Sequence, residues 1–231
     1  SRSTIFALIK LNYSMKFSLS TIFAAFIILL SACNNEQPLP KSFCSDPCLK
    51  DTLKFTIEDP GKPYVYISAK QCSPDTILWS TKYSETNRKL GIVYTLGQPV
   101  NINKDFISCF IKDTSFALVQ FNDCSSFRGY ILRLPFNKLN NIRKISSAFT
   151  NFDKKFKIAD GLICYADYTF LYVEDVLTGK KEQLKLADKE LKIDWDNIHA
   201  TFDSVNVTRN RIFVNMVENK EVKPLEKTIS L

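Results

Sequence analysis

From about residue 50 onward, apolar and polar positions alternate over short runs rather than recurring every three or four residues. Tyr64–Ile67, Phe116–Phe121, Phe170–Val173 and Arg211–Met216 are rich in β-branched and aromatic side chains, and Asp, Asn, Gly and Pro separate them. A two-residue period bounded by turn-formers predicts strands. The best helical candidate, Glu182–Lys192, has an apolar spacing equally compatible with a strand and a short turn. The expected class is all-β, with residues 51–231 forming a single domain around one core or one ring.

The strands recur. An Asp followed by a small residue stands before an expected strand at Asp75-Thr76, Asp113-Thr114, Asp160-Gly161 and Asp203-Ser204, at intervals of 38, 47 and 43 residues. Second strands are expected at Gly91–Thr95, Tyr130–Leu134, Phe170–Val173 and Ile212–Met216. Third strands are expected at Phe106–Ile111, Ile142–Ser146, Glu182–Leu186 and Leu225–Leu231. An Asp at such a turn can accept a bond from its own downstream backbone, and a small neighbour lets the chain re-enter a strand. A period near 40 residues with three or four short strands resembles β-propeller blades. The resemblance implies a small propeller-like ring of four or five blades, with strands at Leu53–Ile57 and Tyr64–Ile67 helping to close it. A β-sandwich or barrel with regularly recurring hairpins is the alternative.

The N-terminal segment has a different pattern. Met15-Lys16 precedes 14 mostly apolar residues, Phe17–Leu30, and the run ends in Leu30-Ser31-Ala32-Cys33. Fourteen residues are too few to span a hydrocarbon core of about 30 Å comfortably. The segment resembles the signal peptide and lipobox of bacterial lipoproteins. The resemblance implies cleavage after Ala32 and acylation of Cys33, a stable membrane anchor through two or three chains. Residues 1–14 then read as an upstream extension, 15–32 as the signal peptide, and 33–50 as a lipidated, Cys-containing tether. The expected location is the cell envelope. The absence of Asp after Cys33 favours the outer membrane, facing the periplasm or the cell surface.

That address changes how composition is read. The chain carries 31 Lys and Arg against 24 Asp and Glu, formally +7, but Arg2, Lys10 and Lys16 precede the lipobox with no acid among them. The remainder holds 28 basic and 24 acidic groups, a net charge of +4. Its positive charge concentrates at Arg128, Arg133, Lys138, Arg143, Lys144, Lys154, Lys155 and Lys157, with Asp153 the one acid in that stretch. Phe127, Tyr130, Phe136, Phe149, Phe152 and Phe156 are interleaved. In an exported protein such a run suits a polyanion, an acidic glycan or an acidic protein rather than nucleic acid. An ordinary solvated face is the plainer alternative. Cys44, Cys48, Cys72, Cys109, Cys124 and Cys164 are candidates for disulfides or buried thiols in that compartment, with a local Cys109–Cys124 pair one possibility among 15 pairings.

Motifs for chemistry are sparse. Asp51-Thr52-Leu53, Asp75-Thr76-Ile77 and Asp203-Ser204-Val205 look like the O-glycosylation motif of exported Bacteroidetes proteins, which would make Thr52, Thr76 and Ser204 acceptors. His199 is the one histidine and has no nucleophile motif beside it, so it reads as a satisfied polar side chain. Asp194-Trp195-Asp196-Asn197 starts like a calcium loop, but Ile198 breaks the ligand register. No catalytic residue, cofactor or metal site is expected. The leading expectation is a membrane-anchored lipoprotein with a non-enzymatic binding or scaffold role toward a protein or glycan. One alternative is a carbohydrate-active enzyme with paired carboxylates among Asp188, Glu190, Asp194 and Asp196. The other is an inhibitor or immunity lipoprotein. Oligomeric state has no signature.

Overall fold

The computed structural model describes residues 49–231. The signal segment, Cys33, Cys44 and Cys48 lie outside the described residues. The described chain is all-β and forms three sheets. The first is a four-stranded meander of β1 (Leu53–Thr56), β2 (Tyr64–Lys70), β3 (Ser73–Ser80) and β4 (Arg88–Gly91). A short helix α1 (Ile92–Leu96) then leads to β5 (Ile107–Lys112), β6 (Phe116–Asn122), β7 (Gly129–Pro135) and β8 (Arg143–Phe149). Strand β9 (Phe156–Ile158) follows, then β10 (Leu162–Ala166), β11 (Phe170–Asp175) and β12 (Lys181–Lys185). The last hairpins are β13 (Phe202–Thr208), β14 (Arg211–Glu218) and β15 (Glu221–Thr228).

The second sheet runs β12-β11-β10-β8-β7-β6-β5, and the third runs β15-β14-β13-β9, with β9 parallel to β13. The repeat is visible as the meanders β6-β7-β8, β10-β11-β12 and β13-β14-β15. Two of these are not separate blades, because β8 pairs antiparallel with β10 at Cys164↔Phe149 and Tyr165↔Ala148 and fuses them into seven strands. No sheet closes into a barrel.

Burial follows strand position. The central strands β6, β7 and β10 are buried on both faces and read as nearly continuous apolar runs. Strands β2 and β14 alternate, and the edge strands β12 and β15 are rich in Lys and Glu. Pro224 is tolerated because β15 is an edge. One core packs the first sheet on the β5–β8 half of the second, around Trp79, Phe121 and Tyr130. Another packs the third sheet on the β10–β12 half, around Phe149, Cys164 and Phe202. A third cluster, including Phe116, Leu118, Ile131, Ile163 and Tyr165, lies on the opposite face of the seven-stranded sheet.

That third cluster is buried because the sheet folds over on itself. In a flat sheet β5 and β11 would stand roughly 24 Å apart, five strand spacings. Instead Lys112 Nζ, at the end of β5, donates to the carbonyl of Leu177, just past β11, at 3.2 Å. Glu174 on β11 likewise reaches Arg143 on β8 at 2.8 Å.

Several expectations are corrected locally. The strand expected at Gly91–Thr95 is α1: Ile92 and Leu96, four residues apart, bury one face, and Gly97 at φ 80° terminates the turn. Asp75 and Asp203 lie inside β3 and β13 rather than before them. Asp113 does form the expected turn, its Oδ1 accepting the Ser115 amide at 2.7 Å. The final strand begins at Glu221, not Leu225. Gln71-Cys72 and Asn219-Lys220 make two-residue hairpin loops with positive φ at both positions, a backbone that matches strand twist.

Candidate functional site

Period-two alternation decides which basic residues meet. Arg133 on β7 and Arg143 on β8 are direct cross-strand partners, so both project onto the folded-over face of the seven-stranded sheet. Two like charges there need a counter-charge, and Glu174 supplies it from β11. Its side chain is only 6% exposed; Arg143 Nη1 donates to both carboxylate oxygens, at 2.9 and 2.8 Å. Arg143 Nη2 donates to Tyr165 Oη at 2.8 Å, and Arg133 Nη1 stands 3.8 Å from Glu174. Arg143 is thus committed to structure.

Arg133 is not. Its guanidinium lies 3.8 Å from the centroid of the Phe116 ring, is 33% exposed, and makes no hydrogen bond among the described residues. Stacking on an aromatic face fixes its plane without using its N–H donors. It borders a recess of about 510 Å³ also lined by Lys112, Ser115, Asn140, Asn141 and Arg143. Three cations against one carboxylate leave the recess net positive. An oxyanion there could accept two parallel bonds from Arg133, the geometry in which guanidinium is strongest.

The other basic residues go elsewhere. Arg128 Nε donates to Ser146 O at 2.5 Å, and its guanidinium lies over the Tyr130 and Trp195 rings. Lys144, one position from Arg143, points to the opposite face and donates to Thr95 O at 2.9 Å. Lys138 is exposed in the β7–β8 loop. Lys155 pairs with Asp203 at 3.0 Å, while Lys154 and Lys157 border a shallow depression beside β9.

The remaining candidates have plain structural places. Cys72 and Cys124 are disulfide-bonded. Cys109 and Cys164 are free thiols, so the local Cys109–Cys124 pair is not formed. Burial pushes the Cys109 thiol up to about 12 and Cys164 well above its ordinary value. Thr52 is exposed; Thr76 Oγ1 donates to Asp75, and Ser204 Oγ accepts from Asn215. Asp188 pairs with Lys185, Asp194 accepts the amides of Asp196 and Asn197 in a turn, and Glu190 is exposed. His199 is held between Asp153 Oδ2 at 2.7 Å and Phe202 O at 3.2 Å; the bond to Asp153 raises its pKa. No group of three or more metal-ligating side chains converges among the described residues. No helix among them is long and apolar enough to cross a membrane.

A second concavity had no counterpart in the sequence motifs. On the outer face of the first sheet, Tyr64 and Tyr66 stand two residues apart with ring centroids 4.6 Å from each other. They line a cleft of about 650 Å³ with Thr56, Ile57, Glu58, Asp59, Lys62 and Lys82. Tyr64 Oη donates to Asn87 Oδ1 at 2.9 Å. The alternation Tyr64-Val65-Tyr66-Ile67, with the aliphatic pair in the core, was the available signal.

No protein-family model matches the chain. Comparison with curated proteins and with solved structures likewise returns no match.

Proposed function

We propose that the protein is a membrane-anchored exported lipoprotein with a non-enzymatic binding role, and that the recess at Arg133 takes an anionic group of its ligand. The observation that supports the reading is the Arg133 guanidinium, aligned by Phe116 with its donors unspent at the mouth of a positive recess. The ligand class is a glycan or a protein presenting carboxylate, sulfate or phosphate. The anchor is inferred from the resemblance of Leu30-Ser31-Ala32-Cys33 to a lipobox, which implies the cell envelope, with the outer membrane favoured. A propeller-like origin of the four repeat units is the finer architectural reading; three meanders at about 40-residue spacing support it, and the β8–β10 pairing argues against independent blades. Of the four carboxylates of the enzyme alternative, Asp188 and Asp194 are engaged locally, and Glu190 and Asp196 are exposed.

Two measurements test the reading. Cys33→Ser should abolish incorporation of a labelled fatty acid and release the protein from the membrane fraction; unchanged labelling would refute the anchor. The purified lipoprotein should bind a sulfated-polysaccharide column and elute at lower salt as Arg133→Gln, because one phosphate-like contact fewer reduces counterion release. Identical elution of the two proteins would refute the recess.

A further inference from the structure

We infer that the tyrosine cleft and the cationic recess are adjoining subsites for one acidic oligosaccharide. This rests on the anion-binding reading of the recess and adds the chemical class of the ligand.

The two concavities flank one contact. Gly61, in the β1–β2 loop, packs so closely on Thr114, in the β5–β6 turn, that a Cβ on Gly61 would stand 2.2 Å from Thr114 Cγ2. Lys62 beside Gly61 lines the cleft, and Ser115 beside Thr114 lines the recess. The loop is held there by the Gly61 amide donating to Asp59 Oδ1 and by the Lys82 amide donating to Gly61 O, both at 2.7 Å. A chain of sugars leaving one concavity therefore meets the other across a single fixed loop contact.

The chemistry of the cleft favours a sugar over a purely apolar group. A pyranose presents a C–H face that packs on an aromatic ring, while its hydroxyls, each donor and acceptor, point to the sides. Tyr64 and Tyr66 supply the rings. Glu58 is an acceptor at the rim and Lys62 and Lys82 are donors; none of these three side chains makes a hydrogen bond among the described residues. Buried polar groups of a ligand need such partners to offset desolvation. Lys62 and Lys82 are matched in the cleft by Glu58 and Asp59, so the excess positive charge is that of Lys112, Arg133 and Arg143 in the recess. A neutral glycan would leave that charge unused, whereas a uronic or sulfated one matches it.

The test is calorimetric titration of the full mature protein in detergent, at low and physiological salt, with three probes. They are a galacturonic acid hexasaccharide, the same hexasaccharide with its carboxylates reduced, and a heparin-derived hexasaccharide. At least one acidic probe should bind. Tyr66→Ala and Arg133→Gln should each weaken it at least ~10-fold, equivalent to roughly 1.4 kcal/mol. Tyr66→Phe, which keeps the ring, should stay within about twofold of the parent. Only Arg133→Gln should flatten the salt dependence. Failure of both acidic probes to bind overturns the inference. Loss of affinity in Arg133→Gln but not in Tyr66→Ala overturns the joint site and leaves the anion-binding recess standing. Equal binding of the reduced hexasaccharide, with Arg133→Gln unaffected, overturns both.

Discussion

Glu174→Gln perturbs the recess where structure and function meet. The carboxylate accepts two charge-assisted bonds from Arg143 and lies 3.8 Å from Arg133, while only 6% of the Glu174 side chain is exposed. Gln keeps the shape and one acceptor but removes the charge, leaving two guanidiniums directly opposite each other across β7 and β8. Breaking a fully buried ion pair costs about 3–5 kcal/mol. Both arginines here are a third or more exposed, so solvent screens part of that loss. A charge-assisted hydrogen bond is worth about 1.5–3 kcal/mol, and we expect roughly 2–3 kcal/mol of destabilisation. For a domain of this size that is roughly 4–12 °C in Tm. The functional consequence has the opposite sign: the recess gains net positive charge, so an added anion should restore more stability to the variant than to the parent. Urea unfolding with and without sulfate at matched ionic strength measures both effects. A variant within 0.5 kcal/mol of the parent, or equal sulfate stabilisation of the two, would refute the argument that Glu174 neutralises a built cationic site.

Other predictions are independent of the ligand. Because His199 is the one histidine, its ring protons report a single titration by NMR, and the apparent pKa should lie above the ordinary value. A raised folded-state pKa stabilises fully below the unfolded value and is lost as pH rises through the folded one; Asp153→Asn should return the titration toward normal and remove that slope. Gly129→Ala should destabilise by about 1–3 kcal/mol or more, since the new Cβ would meet the Ala148 carbonyl oxygen at 2.2 Å and that atom is backbone; an unchanged urea midpoint would contradict the packing at the β7–β8 irregularity. Iodoacetamide at pH 8 should leave Cys109 and Cys164 unmodified in the folded protein and alkylate both in denaturant, read by peptide mass spectrometry. Rapid labelling of the half-buried Cys109 in the native state would contradict a thiol pushed up to about 12 by its surroundings.

Much of the strand content is legible locally, because β2, β6, β7, β11 and β14 are written in β-branched and aromatic residues. α1 is not, since Ile92, Val93 and Thr95 read as strand; only the spacing of Ile92 and Leu96 together with Gly97 marks a helical turn. The turn Gln71-Cys72 carries none of the usual Asn-Gly signal. Sheet assembly was beyond reach: the β8–β10 and β9–β13 pairings join segments through long-range contacts that leave no local pattern. The same limit governs the site. The basic run Arg128–Lys157 was visible, but strand alternation sends Arg133 and Arg143 to one face and Lys144 to the other. Glu174, 31 residues from Arg143, had no reason to be linked to it until the sheet folded over. The tyrosine pair was visible as alternation, yet the loop that walls its cleft was not.

We propose Arg133 as a pre-aligned anion receptor. This role is tested most directly by the side-chain Nε–Hε resonances of the arginines during titration with sulfate at constant ionic strength. The Arg133 signal should shift saturably, Arg143, which Glu174 and Tyr165 already hold, should change less, and Arg88, whose guanidinium is bound to backbone carbonyls, should show no saturable shift. An Arg133 signal that stays fixed, or moves only in step with every exposed arginine, would contradict it.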